Sequence, residues 1–120
     1  MLLLDSNIVI YSILPTHQKL RDFLSGNPFC CSVITKVEVL GYHLLSPKEK
    51  LDFENLFSTI PLVPISPSII EKAIQIKQIK RVTLGDSLIA ATALDIEAEL
   101  VTANSKDFEG IFGLKVTNPL

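Results

Sequence analysis

The sequence predicts an α/β fold in which a central parallel sheet is covered by helices on both faces, and three observations carry that prediction. Short apolar runs alternate with longer segments of helical period along the whole chain. The first run, Met1–Leu4, is wholly apolar, as expected of a strand buried within a sheet. The length of 120 residues, with 48% hydrophobic and 20% charged residues, suits one globular domain spanning 1–120 rather than a disordered chain. At this size a single core is feasible, burying roughly two-thirds of the unfolded chain's surface.

The elements follow in order. Helical periodicity runs from Ile8 to about Ser25, broken at Pro15 and closed by Ser25-Gly26-Asn27-Pro28. Phe29–Ser32 reads as a second strand. A helix follows over Val33–Leu45, with Ile34, Val37, Leu40, Leu44 and Leu45 as its apolar residues. Pro47 starts a polar helix through about Ser58. Ile60–Ile65 is a third strand, and its two prolines place it at an edge. Pro67 opens another helix with Ile69, Ile70, Ala73, Ile74, Ile76 and Ile79 on its apolar side. Thr83 begins the next helix, through SLIAATALDIEAE, leading into a strand at residues 100–103. Gly113–Val116 is the last strand, and about five strands result.

Composition excludes several classes of function. No apolar stretch approaches the about 20 residues that span a bilayer, and Asp5, Ser6 and Asn7 interrupt the N-terminal run, so neither membrane anchor nor signal peptide is expected and the cytoplasm is the expected location. Cys30 and Cys31 are adjacent on a strand and point to opposite faces, which disfavours a bridge between them. His17 and His43 have no ligand spacing around them, so zinc is not expected. The net charge of −2 does not by itself suggest nucleic acid, although Lys77, Lys80 and Arg81, and Lys19 and Arg21, form two short basic patches.

Ligands of open parallel sheets bind beyond the carboxyl ends of the strands. Asp5 follows the first strand, Asn104 and Asp107 follow the fourth, and Glu38 and Asp86 lie in early turns of helices leading away from the sheet. Each has an ordinary alternative. Asp5 or Asn7 can cap the helix near Ile8. Thr83-Leu84-Gly85-Asp86 matches a capping box, with Asp86 reaching back to the helix start, yet Asp86 shares a face with Ile89, Ala90 and Ala93. Glu38 borders the apolar stripe of its helix, where an unpaired buried carboxylate would cost several kcal/mol, or else lays its stem along apolar surface with the carboxylate in water. Together these acids would repel one another unless a cation neutralised them, and all-oxygen donors suit Mg²⁺ or Mn²⁺. Metal-dependent phosphoryl chemistry is the class this donor set favours.

The blocks LLLDSNIVIY, SVITKVEVLGY, LGDSLIAATAL and LVTANSKDFEGIFGLKVTNPL closely resemble those of PIN-domain proteins, specifically the VapC-like toxins of type II toxin–antitoxin pairs. The resemblance spans the chain in the right order. It implies a PIN-like fold and a Mg²⁺- (or Mn²⁺-) dependent endoribonuclease that hydrolyses RNA phosphodiester bonds. It places the family's acids on Asp5, Glu38 and Asp86, with Asp5 and Asp86 holding the metal and Glu38 close by. The fourth acid falls on Asn104, an amide, and Asp107 three residues on offers a replacement; Asn7 is a further supporting residue. Alanine at 103 stands where relatives commonly carry a basic residue. The resemblance also implies a homodimer and a cognate VapB-like antitoxin. The alternatives are a catalytically weak or inactive PIN-fold module that binds RNA or protein, and a PIN nuclease of RNA processing. A receiver-like signalling domain is excluded, because Asp5 stands alone and no acid directly follows Phe29–Ser32.

Overall fold

The computed structural model describes residues 1–120. Five strands form one parallel sheet: β1 (Leu2–Leu4), β2 (Phe29–Ser32), β3 (Leu62–Val63), β4 (Glu99–Val101) and β5 (Val116–Thr117), in the order β3-β2-β1-β4-β5. The chain thus builds outward from β1 to one edge, then returns to β1's other side. Crossovers of one hand then lay helices on opposite faces. The helices α1 (Ser6–Ser12), α2 (Gln18–Ser25), α3 (Val33–Leu40) and α4 (Pro47–Phe57) precede the return, and α5 (Pro67–Ile79) and α6 (Leu84–Asp95) make it.

The core is accordingly double. Leu2, Leu4, Cys31 and Val101 pack under Ile8, Val9, Leu20, Leu24, Val39, Phe53 and Phe57 on the α1–α4 side. Leu3, Cys30 and Leu100 pack under Ile69, Ala73, Ile76, Ile89, Ala90 and Ala93 on the α5–α6 side. β1 is therefore buried on both faces, which explains its unbroken apolar run. The two cysteines do face opposite layers, and both are free. Burial pushes the Cys31 thiol up to about 12, so it stays protonated and inert.

Several expected boundaries shift, each for a local reason. The single helical stretch ahead of β2 is two helices, α1 and α2, with the break around Pro15. α3 stops at Leu40 because Gly41 caps it, its N–H bonding to the Val37 carbonyl, and Tyr42–Leu45 leaves the helix. Val37 and Leu44 are exposed, and Thr35 and Val39 are the residues α3 buries. On α5 only Ile69, Ala73 and Ile76 are buried, while Ile70, Ile74 and Ile79 face outward. β3 shrinks to two residues, at an edge as its prolines predict. β5 lies later than expected, because Gly113 takes a left-handed turn ahead of it.

α6 ends at Asp95, short of the predicted end. Glu97 adopts φ +55°, its N–H bonds to the Leu94 carbonyl, and the Ala98 N–H reaches back to Ala93 at 2.9 Å. This pair of bonds is a Schellman stop built on a glutamate instead of the usual glycine. β4 then starts at Glu99. Because the left-handed region is costly for a residue with a Cβ, Glu97→Gly should raise stability by about 0.5–1 kcal/mol. Urea unfolding of the two proteins measures it, and a loss of stability would mean that the Glu97 side chain contributes more than its backbone costs.

Candidate active site

The site lies where the strand order reverses, at the carboxyl ends of β1 and β4. The ladder between them continues one residue beyond β1, since the Asp5 N–H donates to the Val101 carbonyl at 2.9 Å. That register sets Asp5 beside Thr102. Asp5 is only 7% exposed, and its carboxylate accepts from the Ser6 N–H through one oxygen and from Thr102 Oγ1 through the other, each at 2.8 Å. Asp5 is thus the N-cap of α1, as one reading of the sequence holds, and it also ties the helix start to β4. Thr102 in turn accepts from the Asn104 N–H.

Glu38 reaches this point from the second turn of α3. It is exposed rather than buried, because α3 turns the Thr35–Val39 side inward, and the expected burial cost does not arise. Ser6 Oγ donates to its Oε1 at 2.6 Å, and its Oε2 lies against the start of α6. A Cβ added at Gly85 would stand 2.9 Å from that oxygen, so the glycine makes room for the carboxylate.

Asp86 opens α6. Thr83 Oγ1 accepts from its N–H at 3.1 Å, which caps the helix, but the reciprocal carboxylate bond seen at the Ser46–Glu49 capping box is not made. The Asp86 carboxylate therefore has no backbone partner at the helix start. Burial pushes its pKa above the ordinary aspartate value, and the negative charges of Asp5, Asp107 and Glu38 add to the rise, against a lowering hydrogen bond with Thr83. Asp107, in the 3₁₀ turn Ser105–Phe108, shares a cavity of about 210 Å³ with Asp86. Asn104 lies outside that cavity, on an adjoining one that Asp107 also lines. Asn7 is half-buried in α1 and bonds to none of these acids. His43 meets Tyr42 edge to face, and Lys36 is exposed.

Asp5, Glu38, Asp86 and Asp107 thus face a common region, but no three of them stand close enough to ligate one ion directly. Their electrostatic coupling and their spacing are compatible for one kind of guest. A small hard cation that keeps most of its water needs only one or two direct carboxylates. Ser6, Thr102 and Gly85 were not singled out in the sequence. Only the position of Ser6 and Thr102 beside Asp5 and Asn104 hinted at them, and Gly85 read as part of a capping motif.

A family model, PIN domain, matches residues 2–111. The chain belongs to the PIN domain family. Among solved structures, this PIN domain is similar to a chain of a toxin–antitoxin complex from Klebsiella pneumoniae, with 30% identity and a TM-score of 0.80 over 100% of this chain and 98% of that one. It is similar also to a chain of FitAcB from Neisseria gonorrhoeae, with 26% identity and a TM-score of 0.83 over 99% and 98%. A DNA-bound VapBC from Salmonella typhimurium shares the fold, with a TM-score of 0.87 over 99% and 98% at 24% identity. No curated protein matched. No helix of this PIN domain is long and apolar enough to cross a membrane.

The raised Asp86 value has a consequence for stability. Above the ordinary aspartate value the unfolded chain has released a proton that the folded chain still holds, so stability is full below that value and falls as pH rises toward the raised one. Asp86→Asn should remove this loss. Melting temperatures without metal should then diverge in favour of the variant as pH rises through that window, and parallel curves would mean that Asp86 carries no such charge strain.

Proposed function

We propose that this PIN domain is a Mg²⁺- or Mn²⁺-dependent endoribonuclease that hydrolyses RNA phosphodiester bonds, acting as the toxin of a VapBC-type pair in the cytoplasm. The observation that carries the reading is the meeting of Asp5, Glu38, Asp86 and Asp107 at the reversal of the sheet in a chain of this family. Toxin and antitoxin come from the likeness to the Klebsiella pneumoniae complex, and a VapB-like antitoxin and a homodimer belong to the same proposal. The exposed Ile70, Ile74 and Ile79 leave apolar surface on α5 for such assembly.

In this reading Asp5 and Asp86 hold the cation, Asp107 takes the place of the fourth acid that Asn104 does not supply, and Glu38 orients water through the oxygen that Ser6 leaves free. The cation, when bound, activates water and offsets charge on the phosphate. Thr102 and Ser6 fix the carboxylates in advance, so little reorganisation is needed at the moment of reaction. Cleavage of a mixed RNA pool should need Mg²⁺ or Mn²⁺ and stop in EDTA. Asp86→Asn should lower the rate roughly hundredfold or more, the loss of a metal ligand being worth several kcal/mol. Cleavage at full rate in excess chelator would overturn the reading.

A second reading, a PIN fold that binds without cutting, is favoured by the amide at 104 and by the absence of three directly ligating side chains. Metal titration by calorimetry separates the two. Asp107→Asn should weaken Mg²⁺ binding clearly, and Asn104→Asp, which adds a carboxylate near the set, should keep or tighten it. No measurable Mg²⁺ binding by the unaltered chain, with RNA bound intact, would establish the second reading. A PIN nuclease of RNA processing would cut RNA without arresting growth on induction.

A further inference from the structure

The cavity that holds Asp86 and Asp107 is also lined by Lys80, Arg81 and Lys106, with Val82 and Thr83 between. Three cations on one small cavity is an uneven allocation for a chain of net charge −2. They are also uncommitted, as are Lys19, Lys36 and Lys115, which lie outside this cavity. Lys48, Lys50 and Lys72 pair with Asp52, Glu54 and Asp95, Lys77 bonds to the Val82 carbonyl, and Arg21 bonds to Leu14, Pro15 and Gln18. Lys80, Arg81 and Lys106 make neither an ion pair nor a side-chain hydrogen bond, although two carboxylates share their cavity.

Their positions are nevertheless set. The Lys77 bond to the Val82 carbonyl, at 2.9 Å, braces the short connection from α5 to α6 that carries Lys80 and Arg81. Lys106 comes from a second element, the 3₁₀ turn that also carries Asp107. Two acids and three free cations on one cavity form a surface that no single small ion satisfies. A polyanion held through one phosphate by a cation at the acids would lay a neighbouring phosphate among Lys80, Arg81 and Lys106.

We infer that Lys80, Arg81 and Lys106 form a phosphate-binding subsite for the nucleotide next to the one being cut, fixing the path of a single RNA strand across the site. This rests on the nuclease reading. The cations touch the backbone and not the bases, so they give affinity without sequence preference. Neither Asp5 nor Glu38 lines this cavity, so the cations are assigned to holding the strand and not to the chemical step.

The test measures kcat and KM for a single-stranded RNA oligonucleotide in Mg²⁺ across a series of salt concentrations. It compares the unaltered chain, the triple variant Lys80→Ala/Arg81→Ala/Lys106→Ala, the charge-keeping Lys106→Arg, and Lys19→Ala as an exposed cation outside the cavity. Arg81, Lys106 and Lys19 are exposed and Lys80 is half-buried, and circular dichroism checks that the variants fold. The triple variant should raise KM with kcat little changed. Its log–log salt slope should shrink by about 2, at about 0.7 for each phosphate of a single strand that is no longer neutralised. From about 50 to about 200 mM salt the unaltered chain should therefore lose roughly twentyfold more affinity than the triple variant. Lys106→Arg and Lys19→Ala should keep the full slope. An unchanged slope and KM in the triple variant, with cleavage intact in the unaltered chain, would overturn the subsite alone. If the unaltered chain cuts no RNA, the nuclease reading fails, and binding of the same oligonucleotide in Mg²⁺ still decides whether these cations hold phosphate.

Discussion

The carboxylate of Asp5 is the joint on which the site is hung. It is buried at the end of the central strand, and each oxygen has a donor: the Ser6 N–H at the start of α1 and the Thr102 hydroxyl beyond β4. A buried carboxylate is tolerated only when its oxygens are satisfied, so the pair of bonds fixes how α1 leaves β1 and how the β4 loop turns away. Ser6, held there, holds Glu38. Thr102, held there, takes the Asn104 N–H and sets the turn that delivers Lys106 and Asp107. Three separate elements thus inherit their positions from one side chain.

The same geometry concentrates negative charge. Asp86 sits where burial and the fields of Asp5, Asp107 and Glu38 all oppose its ionisation, while the core on either side is packed with fully buried aliphatic residues such as Leu3, Ile8, Ile89 and Leu100. The core holds rigid what the site would push apart. Charge strain supported by an apolar frame is a common feature of sites whose guest is a cation. Cations free of partners line the same cavity as Asp86 and Asp107, so both signs are kept close without pairing.

Backbone exceptions accompany this arrangement. Gly85 leaves space at the head of α6 that a Cβ would take from the Glu38 carboxylate. Glu97 ends the same helix in the left-handed region, which lets Ala98 and β4 enter the sheet beside β1. Helix α6 is therefore constrained at both ends, by the site at one and by the sheet at the other. Its buried alanines, Ala90, Ala91 and Ala93, allow the close packing that both ends need.

The sequence alone determined the alternation of strands and helices, the burial of the Leu2–Leu4 strand and the edge position of β3, because apolar period and proline placement are local properties of the chain. The tertiary structure decided the rest. Helical periodicity could not tell which side of α3 or α5 faced inward, since both helices carry apolar residues on two sides, and only packing against the sheet selected Thr35–Val39 and Ile69–Ala73–Ile76. The stop at Glu97 carried no glycine to announce it. The exposure of Glu38 and the roles of Ser6, Thr102 and Gly85 arise from contacts between residues far apart in the chain, as do the separation of Asn104 from Asp86 and the gathering of Lys80, Arg81 and Lys106. Local pattern fixes which elements form, and the order in which the sheet is assembled fixes which side chains meet.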